Sequence, residues 1–291
     1  MEMVFVYGTL RRGEANCRLL EGAEMVASIA YAKGCLVDTG FGFPAMIPTT
    51  DKSVTGELYE VNLENLIRLD RLEGYYGPGD SRNHYERTRI DVKTDYGLVM
   101  AWAYIYLQHA QDQVIPHGDW KLYRMRRQKN ILYFAYGSCM DTKRIEEAGM
   151  ADWFTQVEGR GVLDGFNLQF TRRATDGGRA DVVESGGHTE GKLYRIPEQA
   201  LEGYLYNREG VNCNIYRPII IPIKCTDASI ADALTFVVVN KEKETAPPVW
   251  YMEEIQRGAL PVVSNNYYLT LMDRFISVFG YENVVNKEEI M

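Results

Sequence analysis

The chain has 291 residues, of which 46% are hydrophobic and 25% charged, and a net charge of −8 at pH 7. This composition excludes extended disorder, the length suits two domains of roughly 130–160 residues, and no apolar run reaches the ~18 residues a membrane span needs. The acidic balance gives no general attraction for nucleic acid or anionic membranes. Five cysteines without a C-x-x-C pair, and an N-terminus (MEMVFVYGTLRR) without a basic leader and long apolar core, set the expectation of a cytoplasmic protein in reducing surroundings.

In chain order, Met3–Tyr7 (MVFVY) is β-branched and aromatic and is cut off by Gly8, which predicts a buried strand. RRGEANCRLLEG can start a helix, and GFPAMIPTTDKSVTGELYEV (42–61) predicts two short strands around a turn. NLENLIRLDRLEG (62–74) predicts an amphipathic helix with Leu63, Leu66, Leu69 and Leu72 on one face. Glu73 closes that helix, and Gly74 stands where a helix exits through a left-handed residue. YYGPGDSRNH then has the make-up of a surface loop, either a lid or an inert insertion. HYERTRIDV and MAWAYIYL predict a strand pair, and the basic cluster KLYRMRRQK (121–129) reads as a solvated helix end or linker.

The order then starts again. Ile131–Tyr136 (ILYFAY) runs into Gly137, MDTKRIEEAGM can start a helix, and GRADVVESGGHTEGKLYRI (178–196) predicts two short strands with a turn. PEQALEGYLYNREG (197–210) predicts a helix begun by Pro197, with Ala200, Leu201, Tyr204 and Leu205 on one face, ending at Glu209 and Gly210. IYRPIIIPI and LTFVVV follow as strands. Leu69-Asp70-Arg71-Leu72-Glu73-Gly74 matches Leu205-Tyr206-Asn207-Arg208-Glu209-Gly210. A repeat of this length can enclose its own core, so it implies a duplicated domain rather than a solenoid. Two more helices are expected in PPVWYMEEIQRGAL and after Ser264, the latter with Leu271, Phe275 and Phe279 on one face. The pattern predicts an α+β protein of two tandem small β-barrel-like domains with flanking helices, residues 1–128 and 129–291.

There is no P-loop, no G-x-G-x-x-G and no G-x-S-x-G, and the four histidines (His84, His109, His117, His188) lack metal-ligand spacing. What recurs is a strand, a tight glycine turn and a glutamate at a helix end. Such a turn can aim backbone N–H groups at a negative oxygen, and such a glutamate can move a proton. The plain alternative is two turn glycines and two solvated helix ends, although a carboxylate at a helix C-terminus faces an unfavourable dipole.

VFVYGTLRRGEANCRLL with LDRLEGYYG and HYERTRI resembles the gamma-glutamylamine cyclotransferase branch of the gamma-glutamylcyclotransferase-like superfamily. YFAYGSCMD with LYNREGVNCNIYR resembles the gamma-glutamylcyclotransferase branch. The resemblance implies a small barrel-like fold, no cofactor or metal, and a small-molecule substrate that is a gamma-glutamyl amine or a short gamma-glutamyl peptide. It implies that Tyr7, Gly8, Thr9 and Leu10 in the first copy, and Tyr136, Gly137, Ser138, Cys139 and Met140 in the second, bind the gamma-glutamyl group. Tyr85 and Tyr216 would line the pockets, and Glu73 and Glu209 would be the general acid/base residues that cyclise the substrate to 5-oxoproline and free an amine. Cys139 stands where the family usually has asparagine, and Tyr206 replaces the aspartate matching Asp70. Two rivals remain at this level: a non-enzymatic carboxylate-binding module, and a Cys139 thiol nucleophile.

Overall fold

The structure is a computed structural model and describes residues 1–106 and 113–281. Leu107 of MAWAYIYL, His109 and the last ten residues of the second domain lie outside the described residues. The chain forms two compact units, Met1–Met125 and Arg126–Met291. No described helix is long and apolar enough to cross a membrane.

The first unit contains β1 (Glu2–Val6), β2 (Glu24–Lys33), β3 (Cys35–Asp38), β4 (Pro44–Ile47), β5 (Ser53–Val61), α1 (Leu63–Leu72), β6 (Tyr85–Thr94), β7 (Gly97–Tyr106), β8 (Gln113–Val114) and α2 (Trp120–Met125). Five strands close a barrel in the order β1-β5-β2-β6-β7, sealed by a parallel contact at Val4 and Trp102, and β4-β3-β8 form a small sheet. Alanines on β2 and β7 (Ala27, Ala30, Ala101, Ala103) are fully buried and leave room inside for Phe5, Val54 and Leu58. Burying a ring such as Phe5 contributes roughly 2–3 kcal/mol. Gly56 on β5 is obligatory for the same reason: a Cβ there would lie 2.3 Å from the Val6 carbonyl and 2.6 Å from the Phe5 ring.

The second unit contains β9 (Asn130–Ala135), α3 (Thr142–Glu147), β10 (Gln156–Ala174), β11 (Gly177–Pro197), a π-helical turn (Leu201–Leu205) running into α4 (Tyr206–Arg208), β12 (Tyr216–Cys225), β13 (Ile230–Val238), α5 (Val249–Ala259) and α6 (Asn265–Ser277). Its barrel has the order β10-β11-β9-β13-β12 and is sealed by a parallel contact between Leu234 and Tyr133. With β9 for β1, β11 for β5, β10 for β2, β12 for β6 and β13 for β7, the two barrels share one topology. Gly191 repeats the role of Gly56, its missing Cβ 2.3 Å from the Ala135 carbonyl and 2.8 Å from Phe134. Ser264 caps α6 by accepting from the Tyr267 amide, and Leu271 and Phe275 are buried while Phe279 packs on Phe170.

Four local expectations change. Residues 178–196 form one strand, not two, because Gly186 and Gly187 (φ +83° and +72°) make a bulge beyond which pairing with β10 resumes. In the first unit the same region does split, at Pro48, which has no N–H to donate, and the Thr49–Asp51 turn. Pro197 ends β11 opposite Asn130 instead of starting a helix. Leu63 (72% exposed) and Leu72 (40%) leave the face that buries Leu66 and Leu69, since a spacing of three drifts round a helix of 3.6 residues per turn. The cluster at 121–129 is not simply solvated: Lys121 is buried and donates to the Arg12 carbonyl, and Arg126 pairs with Glu198.

Candidate active site

In the first unit β1 delivers Tyr7, Gly8, Thr9 and Leu10 to the mouth of the barrel. Tyr7 is pinned by a 2.5 Å hydrogen bond from its hydroxyl to the Tyr104 carbonyl on β7. The Arg11 amide donates to the Gly8 carbonyl and the Asn16 amide to the Thr9 carbonyl, which fixes the turn. Beneath it Arg11 is buried between Asp119 (2.8 Å) and Glu57 (3.4 Å), and Glu57 also accepts from the Arg12 amide. Among the described residues nothing accepts from the amides of Gly8, Thr9 or Leu10. Gly8 must be glycine, because a Cβ would meet Pro44 at 2.8 Å.

α1 delivers the carboxyl group. Asn62 caps it by accepting from the Asn65 amide, and the buried Asn65 side chain donates to the Leu19 and Glu21 carbonyls, tying the helix to the segment after the loop. Glu73 is the last αR residue, and Gly74 follows at φ +61°. Glu73 shares a cavity of ≈ 330 Å³ with Tyr7, Gly8, Thr9, Leu10 and Tyr85. No described residue gives its carboxyl a hydrogen bond or ion pair, and burial raises its pKa to about 7. The Tyr7 phenol is raised by burial and then by the Glu73 charge, so the two groups feel each other. The YYGPGDSRNH segment is ordered by Asn83, which accepts from the Tyr76 amide and donates to the Gly77 carbonyl, and its Tyr76 and His84 join the wall.

The second unit rebuilds this with other chemistry. Tyr136 donates to the Phe236 carbonyl at 2.5 Å, the counterpart of the Tyr7 bond. Tyr136, Gly137, Ser138, Cys139, Glu209 and Tyr216 line a cavity that is also ≈ 330 Å³. Nothing described accepts from the amides of Gly137, Ser138 or Cys139. Met140 is a correction. It lies outside that lining, buried under Gly258 of α5, with its carbonyl taken by Lys192. Glu209 is again followed by a left-handed glycine, Gly210 at φ +60°. Unlike Glu73 it has neighbours: Arg208 Nε at 3.3 Å and Cys139 Sγ at 3.7 Å from Oε1. Burial raises its pKa while Arg208 opposes the rise. Arg208 also donates to Cys139 Sγ (2.9 Å) and Ser138 Oγ (2.8 Å). Burial pushes the Cys139 thiol up, against the requirement for a thiolate nucleophile.

The support behind each cavity differs in step. In the first unit Asp70 accepts from Tyr104 (2.7 Å) and from Arg87 (2.8 Å), which stacks over Tyr75 and Trp102. At the matching places the second unit has Tyr206, Phe236 and Pro218, and Tyr206 packs edge-on against Phe236. The charged, hydrogen-bonded trio of the first unit is answered by an uncharged, ring-packed one in the second. The sequence pattern marks Tyr206 but neither Phe236 nor Pro218, and it does not mark Arg172, Arg179, Trp250 and Tyr251 in the second cavity. Arg208, adjacent to the glutamate, was the one legible hint.

The Gamma-glutamyl cyclotransferase, AIG2-like family matches residues 4–122, and the AIG2-like family matches residues 188–271. YkqA of Bacillus subtilis (strain 168), provisionally named a gamma-glutamylcyclotransferase, is 40% identical over 263 residues, covering 88% of this chain and 91% of its own. The crystal structure of YkqA superimposes with a TM-score of 0.84 at 37% identity, covering 95% of this chain and 98% of that one. The gamma-L-glutamyl-butirosin B gamma-glutamyl cyclotransferase of Niallia circulans is 40% identical over 132 residues, 45% of this chain and 83% of its own. Two barrels of one topology, each matched by an AIG2-like family and together by a full-length relative, place this chain in the gamma-glutamylcyclotransferase-like family as a tandem-domain member.

Proposed function

We propose that the chain cyclises gamma-glutamyl amides to 5-oxoproline with release of an amine, and that the first domain takes gamma-glutamyl amines. The observation that carries this reading is the pairing, in one cavity, of a half-buried carboxyl and three consecutive loop amides, none of which has a hydrogen-bond partner among the described residues. A Niallia circulans relative named for a gamma-glutamyl-butirosin B substrate lends support.

The substrate carries its own nucleophile. Folded into the cavity, its α-amine attacks the γ-carbonyl carbon, and a C–N bond closes the five-membered ring. Holding the two ends together is worth up to about 7–11 kcal/mol in well-oriented cases. The negative oxygen that forms is held by the amides of Gly8, Thr9 and Leu10, each such donor contributing about 3–4 kcal/mol. Glu73 accepts the proton of the attacking nitrogen and passes it to the departing nitrogen as the old amide C–N bond breaks. An acid near 7 is suited to both halves of that transfer, where an ordinary carboxyl is too weak a base. Gamma-glutamyl amines incubated with the chain should yield 5-oxoproline by mass, and Glu73→Gln should lower the rate by about 10²–10⁴-fold. Undiminished turnover in Glu73→Gln, beside Glu209→Gln as control, would remove Glu73 from the mechanism.

A further inference from the structure

We propose that a three-charge cluster aims the loop amides of each domain, with its signs reversed between the two copies. Glu57 and Asp119 in the first domain, and Lys192 and Arg257 in the second, are then positioning residues for the cyclisation. This rests on the cyclisation reading and deepens it, since it assigns what directs the amides that receive the negative oxygen.

Glu57 on β5 faces Val6, and Lys192 on β11 faces Ala135, in each case the residue just before the loop tyrosine, so the two are counterparts. Arg12 and Asp141 correspond as well, each four places after its loop glycine. In the first domain one cation, Arg11, meets two carboxylates, Asp119 at 2.8 Å and Glu57 at 3.4 Å. In the second domain one carboxylate, Asp141, meets two cations. Arg257 stands 2.5 Å away, and burial pulls the Lys192 ammonium down while the Asp141 charge opposes the fall. Arg11, Glu57, Asp119, Asp141 and Lys192 are all buried. A buried ion cluster adds little stability over apolar packing of the same volume; what it adds is direction, because its bonds hold in one orientation only.

The link from cluster to amide is the peptide plane, since a trans peptide points its carbonyl and its N–H in opposite directions. The Arg11 amide donates to the Gly8 carbonyl, which turns the Thr9 N–H the other way. In the second loop the Met140 amide donates to the Gly137 carbonyl and the Asp141 amide to the Ser138 carbonyl, which orients the Ser138 and Cys139 N–H groups. The clusters hold the residues that make these bonds. Glu57 accepts from the Arg12 amide at 2.8 Å, and Lys192 donates to the Met140 carbonyl at 3.3 Å. Main-chain donor and acceptor thus reverse together with the charges. α5 closes in behind the second loop, where a Cβ on Gly258 would lie 2.5 Å from the Asp141 nitrogen. Opposite signs reach one loop geometry by two routes, so it is the aim of the amides, not a particular charge, that the clusters have in common.

Arg257 has an exposed side chain, so Arg257→Gln removes one charge at little risk to folding, and Arg257→Lys keeps it. In the full-length chain the Ser138 and Cys139 amide resonances would be followed as L-2-amino-4-phosphonobutyrate is added at pH 6, where Glu73 is protonated. The tetrahedral phosphonate of this probe stands in for the negative oxygen. We expect its affinity at this loop to fall about tenfold in Arg257→Gln and far less in Arg257→Lys, with the Thr9 and Leu10 resonances unmoved. Asp119→Asn, which keeps an acceptor for Arg11, should give the reciprocal result at the first loop. It should also cut kcat on a gamma-glutamyl amine by about 10- to 100-fold with KM within about twofold, because the negative oxygen exists only in the transition state. A purely structural role would lower Tm but leave affinity and kcat per folded molecule unchanged. Should Asp119→Asn lose its native melting transition, the Arg257 pair carries the test. Undiminished affinity in folded Arg257→Gln, equal losses in both Arg257 variants, or no phosphonate binding at either loop of the parent would overturn the inference. Release of 5-oxoproline by the unsubstituted chain is measured beside it. Turnover indifferent to the variants sinks the positioning role alone, and the expected affinity losses without turnover sink the cyclisation reading alone.

Discussion

The two cavities share volume, loop, left-handed glycine and carboxyl, and burial raises both carboxyls, yet they surround them with different side chains. Around Glu73 the neighbours are Leu10 and Leu72, and burial acts unopposed. Around Glu209 the same two places hold Cys139 and Arg208, and a cation works against burial. The difference teaches that in this scaffold the direction of the acid is set by the main chain, whereas its acidity is set by two exchangeable side chains. The backing trio behaves likewise, with Asp70, Arg87 and Tyr104 exchanged together for Tyr206, Pro218 and Phe236.

The sharpest way to break the comparison is kinetic. Glu73→Gln should cut turnover of gamma-glutamyl amines by about 10²–10⁴-fold while Glu209→Gln spares it; equal losses on one substrate would mean the cavities are not independent sites. Next is stability. Glu73 has a folded-state pKa of about 7 against an ordinary 4.5, so the neutral carboxyl favours folding below pH 4.5 and that contribution is lost as pH rises to about 7. In denaturant titrations at pH 8, Glu73→Gln should therefore exceed the parent by about 3 kcal/mol, converging with it at low pH. Glu209→Gln should gain less, because Arg208 loses the only carboxylate the described residues set against it. The same ionisation makes first-cavity turnover rise with pH through about 7. Smaller effects test the shared frame: Gly56→Ala and Gly191→Ala should each cost about 1–3 kcal/mol in thermal unfolding, by overpacking the same junction. Smallest of all, Cys139→Ala should keep most of the second cavity's turnover; a collapse would revive the thiol nucleophile.

Much of the fold was legible because a duplicated domain writes its pattern twice. Strand, glycine turn, helix and Glu-Gly exit stood out by recurrence, and the α+β tandem of small barrels followed from them. The misreadings came where local spacing was trusted over geometry. A leucine every third residue drifts off its face, which exposed Leu63 and Leu72. A Gly-Gly pair reads as a turn but can equally bulge a continuous strand, as Gly186 and Gly187 do. In the site, the loop and glutamates were named by pattern, and Met140 was carried along by adjacency although its side chain points into the α5 packing. The arginines stayed hidden because strand pairing and a C-terminal helix, not sequence neighbourhood, bring Arg172, Arg179 and Trp250 together.

Gly74 and Gly210 leave their helices at φ values a side chain rarely adopts, and a Cβ at either would strike His84 at 3.2 Å or Ile215 at 2.7 Å. The residue after each glutamate is thus frozen, whereas the one before it is leucine in one copy and arginine in the other. A single codon at that preceding place can therefore retune a proton-transfer group without moving it. Once a gene of this kind doubles, its daughters can part ways in chemistry long before they part in shape.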